Sequence, residues 1–511
     1  MAGDCHIWFL WVRRVKFPLI YGSLQNFYRM SSLKTNIVLN FINTITGIIF
    51  PVITFPYAAR VLLPDGIGVV NFLQSIVAYI VLLTSLGIPM YAVREVAKYR
   101  DNVAVRNRIT LEILLLSLML CVFGYIGVWL LGIYVFRIHA QLGLFYILSL
   151  TILFTSLGVN WFYQAVEDFK FITLRALVFR LLAALSLFLF VKNKEDLLIY
   201  AFVVVGSTVG NNLINFIHLR KLIPFHSIAL SDLRILRHLR PSLRIFVFNL
   251  VTSIYLNLNT VMLGFMQGDD AVGFYTAGNK LSHVILSVVA SLGVVLLPRC
   301  SNLIETGQME TFSKVTGKSY RLVVALSLPC MVGLIVLAIP VIRIFCGDEF
   351  LDAVPVLCWT APVILFIGLS NVIGLQILYP LGKENIVIWS TVGGAVLNFL
   401  LNLWLIPIYG AVGAAISTFG AEFIVLFIQI IVGRECLPIR FYERDYLNYL
   451  LASGMIAIAL YGLSLWISNI FLLVFISVII GIIIYAGVLW RKRDTLFLEV
   501  LGYVNKTLPI F

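Results

Sequence analysis

Isolated cations, one deep carboxylate and rows of amides lie inside long apolar runs of this sequence. Lys280 sits about ten residues into such a run, with His283 and Ser287 at i+3 and i+7 on the same helical face. Arg180 stands in another run, with Arg175 and Lys170 nearer its start. Glu422 falls near the middle of a third, with Thr418 at i−4 and Gln429 at i+7. Asn40, Asn43, Gly47 and Thr54 share one side of the first run, and Asn249, Ser253, Asn257 and Thr260 take equivalent places in the seventh. Thr391, Asn398 and Asn402 mark the eleventh. Ionisable groups in hydrocarbon are costly and face a cavity or a partner. The chemistry available is therefore the holding of an anion and of a polar cargo.

Bland readings stand beside these. Asn and Ser rows with Gly also pack membrane helices together, at about 0.6 kcal/mol per contact. Arg175 and Arg180 can snorkel to the inner surface, and Glu422 can form a structural pair with Lys280. Lys280 lies too deep to snorkel easily.

Motifs for catalysis are missing. Gly317-Lys318-Ser319 resembles the end of a phosphate loop, but Phe312 occupies the place of the required glycine. Asn505-Lys506-Thr507 fits a glycosylation site on the predicted inner side, where it has no meaning. The seven cysteines form no C-x-x-C pair and the six histidines are scattered, so no metal site, disulfide framework or cofactor is expected.

The elements that must position these groups follow from composition. Of 511 residues, 61% are hydrophobic and 12% charged, with a mean hydropathy of +1.01. Soluble domains run near 45–50% apolar and about 25% charged, so a water-exposed surface is excluded. Fourteen apolar segments can be read, from 36–59 to 469–490. They lack the alternation of barrel strands and read as helices. The expected fold is an all-α polytopic membrane protein of about 14 transmembrane helices.

The net charge of +13 reads as cytoplasmic-loop Lys and Arg and not as nucleic-acid binding. With the N-terminus inside, the outer connections hold only Arg60, Arg137, Lys192, Lys194 and Arg343 as cations. Their acids are Asp65, Glu195, Asp196, Asp269, Asp270, Asp348, Glu349 and Asp352. Lys280 and Arg180 fall inside helices, and the remaining cations lie on the inner side, most densely from Arg220 to Arg244. Both termini are therefore expected in the cytoplasm.

Two halves resemble each other weakly. Ile67-Gly68-Val69 follows an acidic turn in one, and Val272-Gly273-Phe274 follows another in the second. The expected organisation is parallel: an N-lobe of six helices over 30–220, a linker over 221–240, and a C-lobe over 241–434. Two further helices and a cytoplasmic tail fill 435–511. Within the linker, Ser231 to Arg240 reads as an interfacial amphipathic helix. Residues 1–29 read as a tail on the inner surface or an extension before a start at Met30. Parallel repeats are a transporter architecture with the site between the halves. The internal cations and polar rows then point to a central cavity for a phosphate-bearing amphiphile, its headgroup against Lys280 and Arg180 and its tail in lipid. Asn40, Asn249, Asn257 and Arg175 complete the predicted site.

Four runs carry a family resemblance. Thr54 to Phe72 (TFPYAARVLLPDGIGVVNF), Ser85 to Lys98 (SLGIPMYAVREVAK), Asn160 to Lys170 (NWFYQAVEDFK) and Tyr379 to Glu384 (YPLGKE) occur in order. Together they resemble bacterial polysaccharide flippases of the Wzx type, in the superfamily of multidrug exporters and lipid II flippases. The resemblance implies movement of an undecaprenyl-pyrophosphate-linked oligosaccharide across the bacterial cytoplasmic membrane by alternating access of two lobes. Pathway glycosyltransferases and a glycan polymerase are the implied partners. Arg60 and Arg94, inside the matched runs, are then expected at gates or lobe edges, and Glu422 as an ion-coupling group. The alternatives are a drug or small-cation antiporter of the same superfamily, which would carry deep carboxylates in its first lobe, and a membrane-embedded glycan polymerase or transferase. Glu112 is the only such first-lobe carboxylate, and no large outer loop exists.

Overall fold

The computed structural model describes residues 33–225, 228–438 and 444–499, all helix, turn or loop with no strand among them. Residues 1–32, including the predicted start at Met30, lie outside the described residues, as does the side chain of Asn249. The helices are apolar around most of their circumference, as spans immersed in lipid must be.

The first helix, α1 (Leu33–Ser85), is too long for a single crossing: 53 residues would reach about 80 Å against a core of about 30 Å. It folds at Leu63, whose φ of 62° and ψ of 176° leave the helical region. Pro64 favours the break, because its ring disfavours the α conformation in the residue before it. After the left-handed Gly87 come α2 (Ile88–Lys98), α3 (Val103–Tyr134), α4 (Phe136–His139), α5 (Leu142–Leu157), α6 (Asn160–Ala165), α7 (Phe169–Phe190) and α8 (Leu197–Leu222). The second half begins with α9 (Leu239–Met266) and α10 (Asp269–Glu305). It continues through α11 (Met309–Val336), α12 (Ala338–Phe345), α13 (Val354–Thr360), α14 (Val363–Asn371), α15 (Glu384–Tyr409) and α16 (Ala411–Gly433). Helices α17 (Arg444–Trp466) and α18 (Ile470–Arg491) close the chain.

Among the described residues ten stretches are long and apolar enough to cross a bilayer, or eleven if the pair 348–360 and 363–378, bent by 40°, forms one span. The chain is thus a multi-pass membrane protein. Fourteen crossings, the number expected from sequence, exceed that measure, in part because the folded stretch Val38–Lys98 enters it once. Two expected single segments are interrupted. The ninth breaks at Leu337 between α11 and α12, and the tenth carries a π-helical turn over Val372–Leu378.

The halves touch at both ends of the bundle. At the predicted outer end α1 crosses α10 backbone to backbone. A Cβ on Gly68 would stand 1.8 Å from the Asp269 carbonyl oxygen, and one on Gly273 would stand 2.1 Å from that of Pro64. Each glycine meets the residue four positions before its counterpart. Arg137 closes on Asp269 at 2.6 Å, and Arg60 Nη2 donates to the Ile344 carbonyl at 2.5 Å. At the predicted inner end Gly87 lies against Ser242 and Phe246, where a Cβ would meet backbone at 2.8 Å.

The expected amphipathic linker helix is absent. Residues 230–232 and 235–238 form single 3-10 turns, and α9 starts at Leu239. The Arg234 N–H donates to the Glu112 carboxylate at 2.8 Å instead of to a carbonyl one turn back, which interrupts the helix.

Candidate functional site

Lys280, on α10, is half-buried, and its Nζ stands 4.1 Å from the centre of the Phe55 ring. Phe55 is buried and packs against Phe345. Among the described residues no carboxylate or hydrogen-bond acceptor pairs with the Lys280 ammonium, and the anticipated Lys280–Glu422 bridge does not form. A face-on aromatic ring offers about 0.5–2 kcal/mol to a cation and leaves its other side free for an anion. His283, on the expected stripe, is exposed, and the Ser287 hydroxyl is spent on the Val284 carbonyl.

Arg180 borders a cavity of about 300 Å3 between α1, α7 and α8. Gly47, Thr54 and Tyr200 share the lining. Arg180 Nη1 donates to the Asn43 carbonyl at 2.9 Å and to Thr46 Oγ1 at 2.6 Å, which aims the guanidinium across the face of α1. The absence of a side chain on Gly47 makes room, since a Cβ there would lie 3.4 Å from Arg180 Nη2. Arg180 and Lys280 thus touch the same helix at Gly47 and Phe55, about 12 Å apart along its axis. Asn40 is exposed and outside that lining. Asn257 is half-buried on α9.

Arg175 does not join this cavity. It is buried, donates from Nε to Asn211 at 2.6 Å and from Nη2 to Asn160 at 2.7 Å, and lies over Phe171. Asn215 donates to the same Asn160 oxygen at 2.8 Å. Arg60 is exposed and bridges the lobes as described, while Arg94 is exposed on α2.

Glu422 is buried on α16, one turn from Thr418. Thr418 belongs to a buried polar cluster in the C-lobe. Asn259 Nδ2 donates to Tyr275 at 2.6 Å and Thr418 at 2.7 Å, and Asn402 donates to Asn259 at 2.6 Å and Asn398 at 3.1 Å. Sequence reasoning named Asn257 and overlooked Asn259, which faces the opposite way on α9. The i, i+4 pairs Asn398/Asn402 and Thr418/Glu422 were the available signal, as both must find a third helix.

A second overlooked cluster lies at the predicted inner end. Glu112 is wholly buried and accepts from Arg108 at 3.1 Å, Arg237 at 2.5 and 2.9 Å, and His238 at 2.8 Å, besides the Arg234 N–H. Arg108 also bonds the Asp232 carbonyl, and Tyr91 meets His238 Nδ1 at 2.7 Å. Burial pushes the His238 pKa below its ordinary 6.5, against the opposing pull of Glu112. The first-lobe carboxylate is therefore committed to holding the linker.

A family model described as Polysaccharide biosynthesis protein matches residues 33–304, just over half of the chain, and one described as MatE matches residues 245–404. The chain is 23% identical over 413 residues to the "Putative O-antigen transporter" of Escherichia coli (strain K12), covering 79% of this chain and 97% of that one. It is 27% identical over 142 residues to the Lipid II flippase MurJ of Bacillus subtilis (strain 168), 27% of this chain and 26% of that one. Among solved structures, "Lipid II flippase MurJ, inward closed conformation" matches with a TM-score of 0.67 at 17% identity, over 90% of this chain and 99% of that chain. At that identity the likeness is one of fold. The helical bundle and the span of the family match agree, and the chain belongs to the polysaccharide biosynthesis protein family.

Proposed function

We propose that this protein carries an undecaprenyl-pyrophosphate-linked oligosaccharide from the inner to the outer leaflet of a bacterial cytoplasmic membrane. The observation that carries the reading is the pair of cations packed against one helix, α1: Lys280 over Phe55 with no anionic partner among the described residues, and Arg180 beside a cavity. A diphosphate headgroup supplies the missing negative charge, and the polyprenyl tail stays in lipid. Relatives named "Putative O-antigen transporter" and "Lipid II flippase MurJ" support a cargo of lipid-linked glycan. In this reading the lobes alternate in opening, with Arg60 fastening the outer edge and Arg94 lining the inner one. Glu422 couples the cycle to an ion, both termini face the cytoplasm, and the polymerase and glycosyltransferases of the same pathway are the partners.

The buried first-lobe carboxylate of a cation antiporter is unavailable here, because Glu112 is spent on Arg108, Arg237 and His238. The flippase reading is tested by deleting the gene in its host and assaying lipid-linked oligosaccharide by leaflet, with glycan initiation blocked in a parallel control. Completed oligosaccharide should accumulate on the inner leaflet, with export restored by wild type and not by Lys280→Ala. Normal outward delivery in a strain without a second flippase overturns the reading.

A further inference from the structure

A second cavity, of about 180 Å3, lies at the predicted inner end of the N-lobe between α1, α2, α3, α5, α6 and α8. It is small beside the roughly 300–1,000 Å3 of a site for a drug-sized ligand. Its lining carries no charged residue, yet eight of its twelve residues are Ser, Thr, Asn or Gln.

The polar groups are arranged by partners behind them. Arg175 donates to Asn160 Oδ1 at 2.7 Å, and a guanidinium can only donate, so that atom is fixed as the oxygen. Asn215 occupies the same oxygen at 2.8 Å. The Asn160 NH2 group is left at the cavity wall with no protein partner among the described residues. Asn212 faces it from α8, its amide likewise uncommitted, and packs so closely on Gly158 that a Cβ there would lie 2.4 Å away. The hydroxyls of Thr84, Ser117 and Ser156 each donate to a carbonyl of their own helix at 3.0 Å, which leaves their lone pairs to accept. The cavity therefore offers fixed amide donors and hydroxyl acceptors without charge.

That pattern selects its occupant. A phosphate finds no cation in the lining, a drug cation finds no carboxylate, and an alkyl chain strands the amides without hydrogen bonds. A group that both donates and accepts around a small ring satisfies it. The wall formed by Ser85, Ile88 and Pro89 flanks Gly87, the residue against Ser242 and Phe246 of the C-lobe. Parting of the lobes at that end moves one wall of the cavity and exposes it to the inner mouth.

We infer that this cavity is a glycan subsite: it holds one neutral sugar unit of the cargo through Asn160 and Asn212, with Arg175 as the positioning residue behind Asn160. The inference rests on the flippase reading and extends it to cargo selection. The test uses the purified full-length protein and two probes, undecaprenyl pyrophosphate bearing the host oligosaccharide and the same lipid without glycan. Asn212→Leu, which keeps the side-chain size, and Ser117→Ala should each weaken binding of the glycan-bearing lipid about tenfold, the loss of about one buried hydrogen bond. Binding of the glycan-free lipid should stay at the wild-type level. Wild-type affinity of both variants for both lipids overturns the subsite and leaves the flippase reading intact. Equal weakening on both lipids also overturns it, since a merely structural pocket behaves that way. Failure of wild type to bind either lipid overturns the flippase reading itself.

Discussion

Replacing Glu112 by Ala should release the linker from the N-lobe. The carboxylate is 0% exposed and holds three side chains and one backbone N–H drawn from α3 and residues 234–238. Breaking a buried ion pair from one side costs about 3–5 kcal/mol. Arg108 and Arg237 are 36% and 44% exposed and regain water, which puts the cost at the low end, about 3 kcal/mol. A local opening eased by that amount is populated roughly 100-fold more. Arg234 and Arg237 are trypsin sites within the clamp, so cleavage of the purified protein there should accelerate by about two orders of magnitude when reclosing is fast. Glu112→Gln keeps the shape without the charge and should fall between. A Glu112→Ala cleavage rate within about twofold of wild type refutes the argument, because it means that the linker is held by something other than this carboxylate.

The same clamp should respond to pH. The His238 pKa is lowered in the folded state, so the unfolded chain binds the extra proton, and this stability is complete above 6.5 and lost as pH falls towards the folded value. Tryptic cutting of the linker should rise by up to about tenfold per pH unit below 6.5, and His238→Gln should flatten the profile; equal slopes in both proteins dismiss His238 as the sensor. Gly68→Ala places a methyl 1.8 Å from the Asp269 carbonyl and must separate α1 from α10 at the outer end. Flipping should drop at least about tenfold, whereas Gly127→Ala, whose methyl meets open space, should leave leaflet distribution unchanged. Export by Gly68→Ala at the Gly127→Ala rate would show that outer closure is not required. Glu422→Gln should abolish the ion dependence of transport, and a variant with intact transport and intact ion dependence removes Glu422 from coupling.

Much of the helical layout was legible because hydropathy and loop charge act over whole segments. The glycine after each acidic turn was read as a sign of the repeat, and in the fold it is where the halves meet. The breaks at Leu337 and along 372–378 were not legible, since they depend on how neighbouring helices crowd an otherwise uniform apolar run. Depth and charge drew attention to Lys280 and Arg180, and both pack against α1 in the fold. Arg175 had the same credentials, yet it is buried against Asn160 and Asn211, and nothing along the chain tells an arginine that lines a cavity from one that braces an amide. Asn259 was passed over, and Glu112 was seen without its clamp, for a related reason. Each gains its role from partners more than a hundred residues away, including Asn402 for one and His238 for the other.

The reciprocal crossing of Gly68 and Gly273 bears on how far the two halves of the chain could drift apart. Each glycine rests on a backbone carbonyl, one from Pro64 and the other from Asp269, two residues with nothing in common but their main chain. A joint made of peptide groups places no demand on the side chains that flank it. Once each half carried its glycine, the neighbouring positions were free to diverge without loosening the fit between them. The weakness of the internal repeat is then a product of the joint that binds its copies.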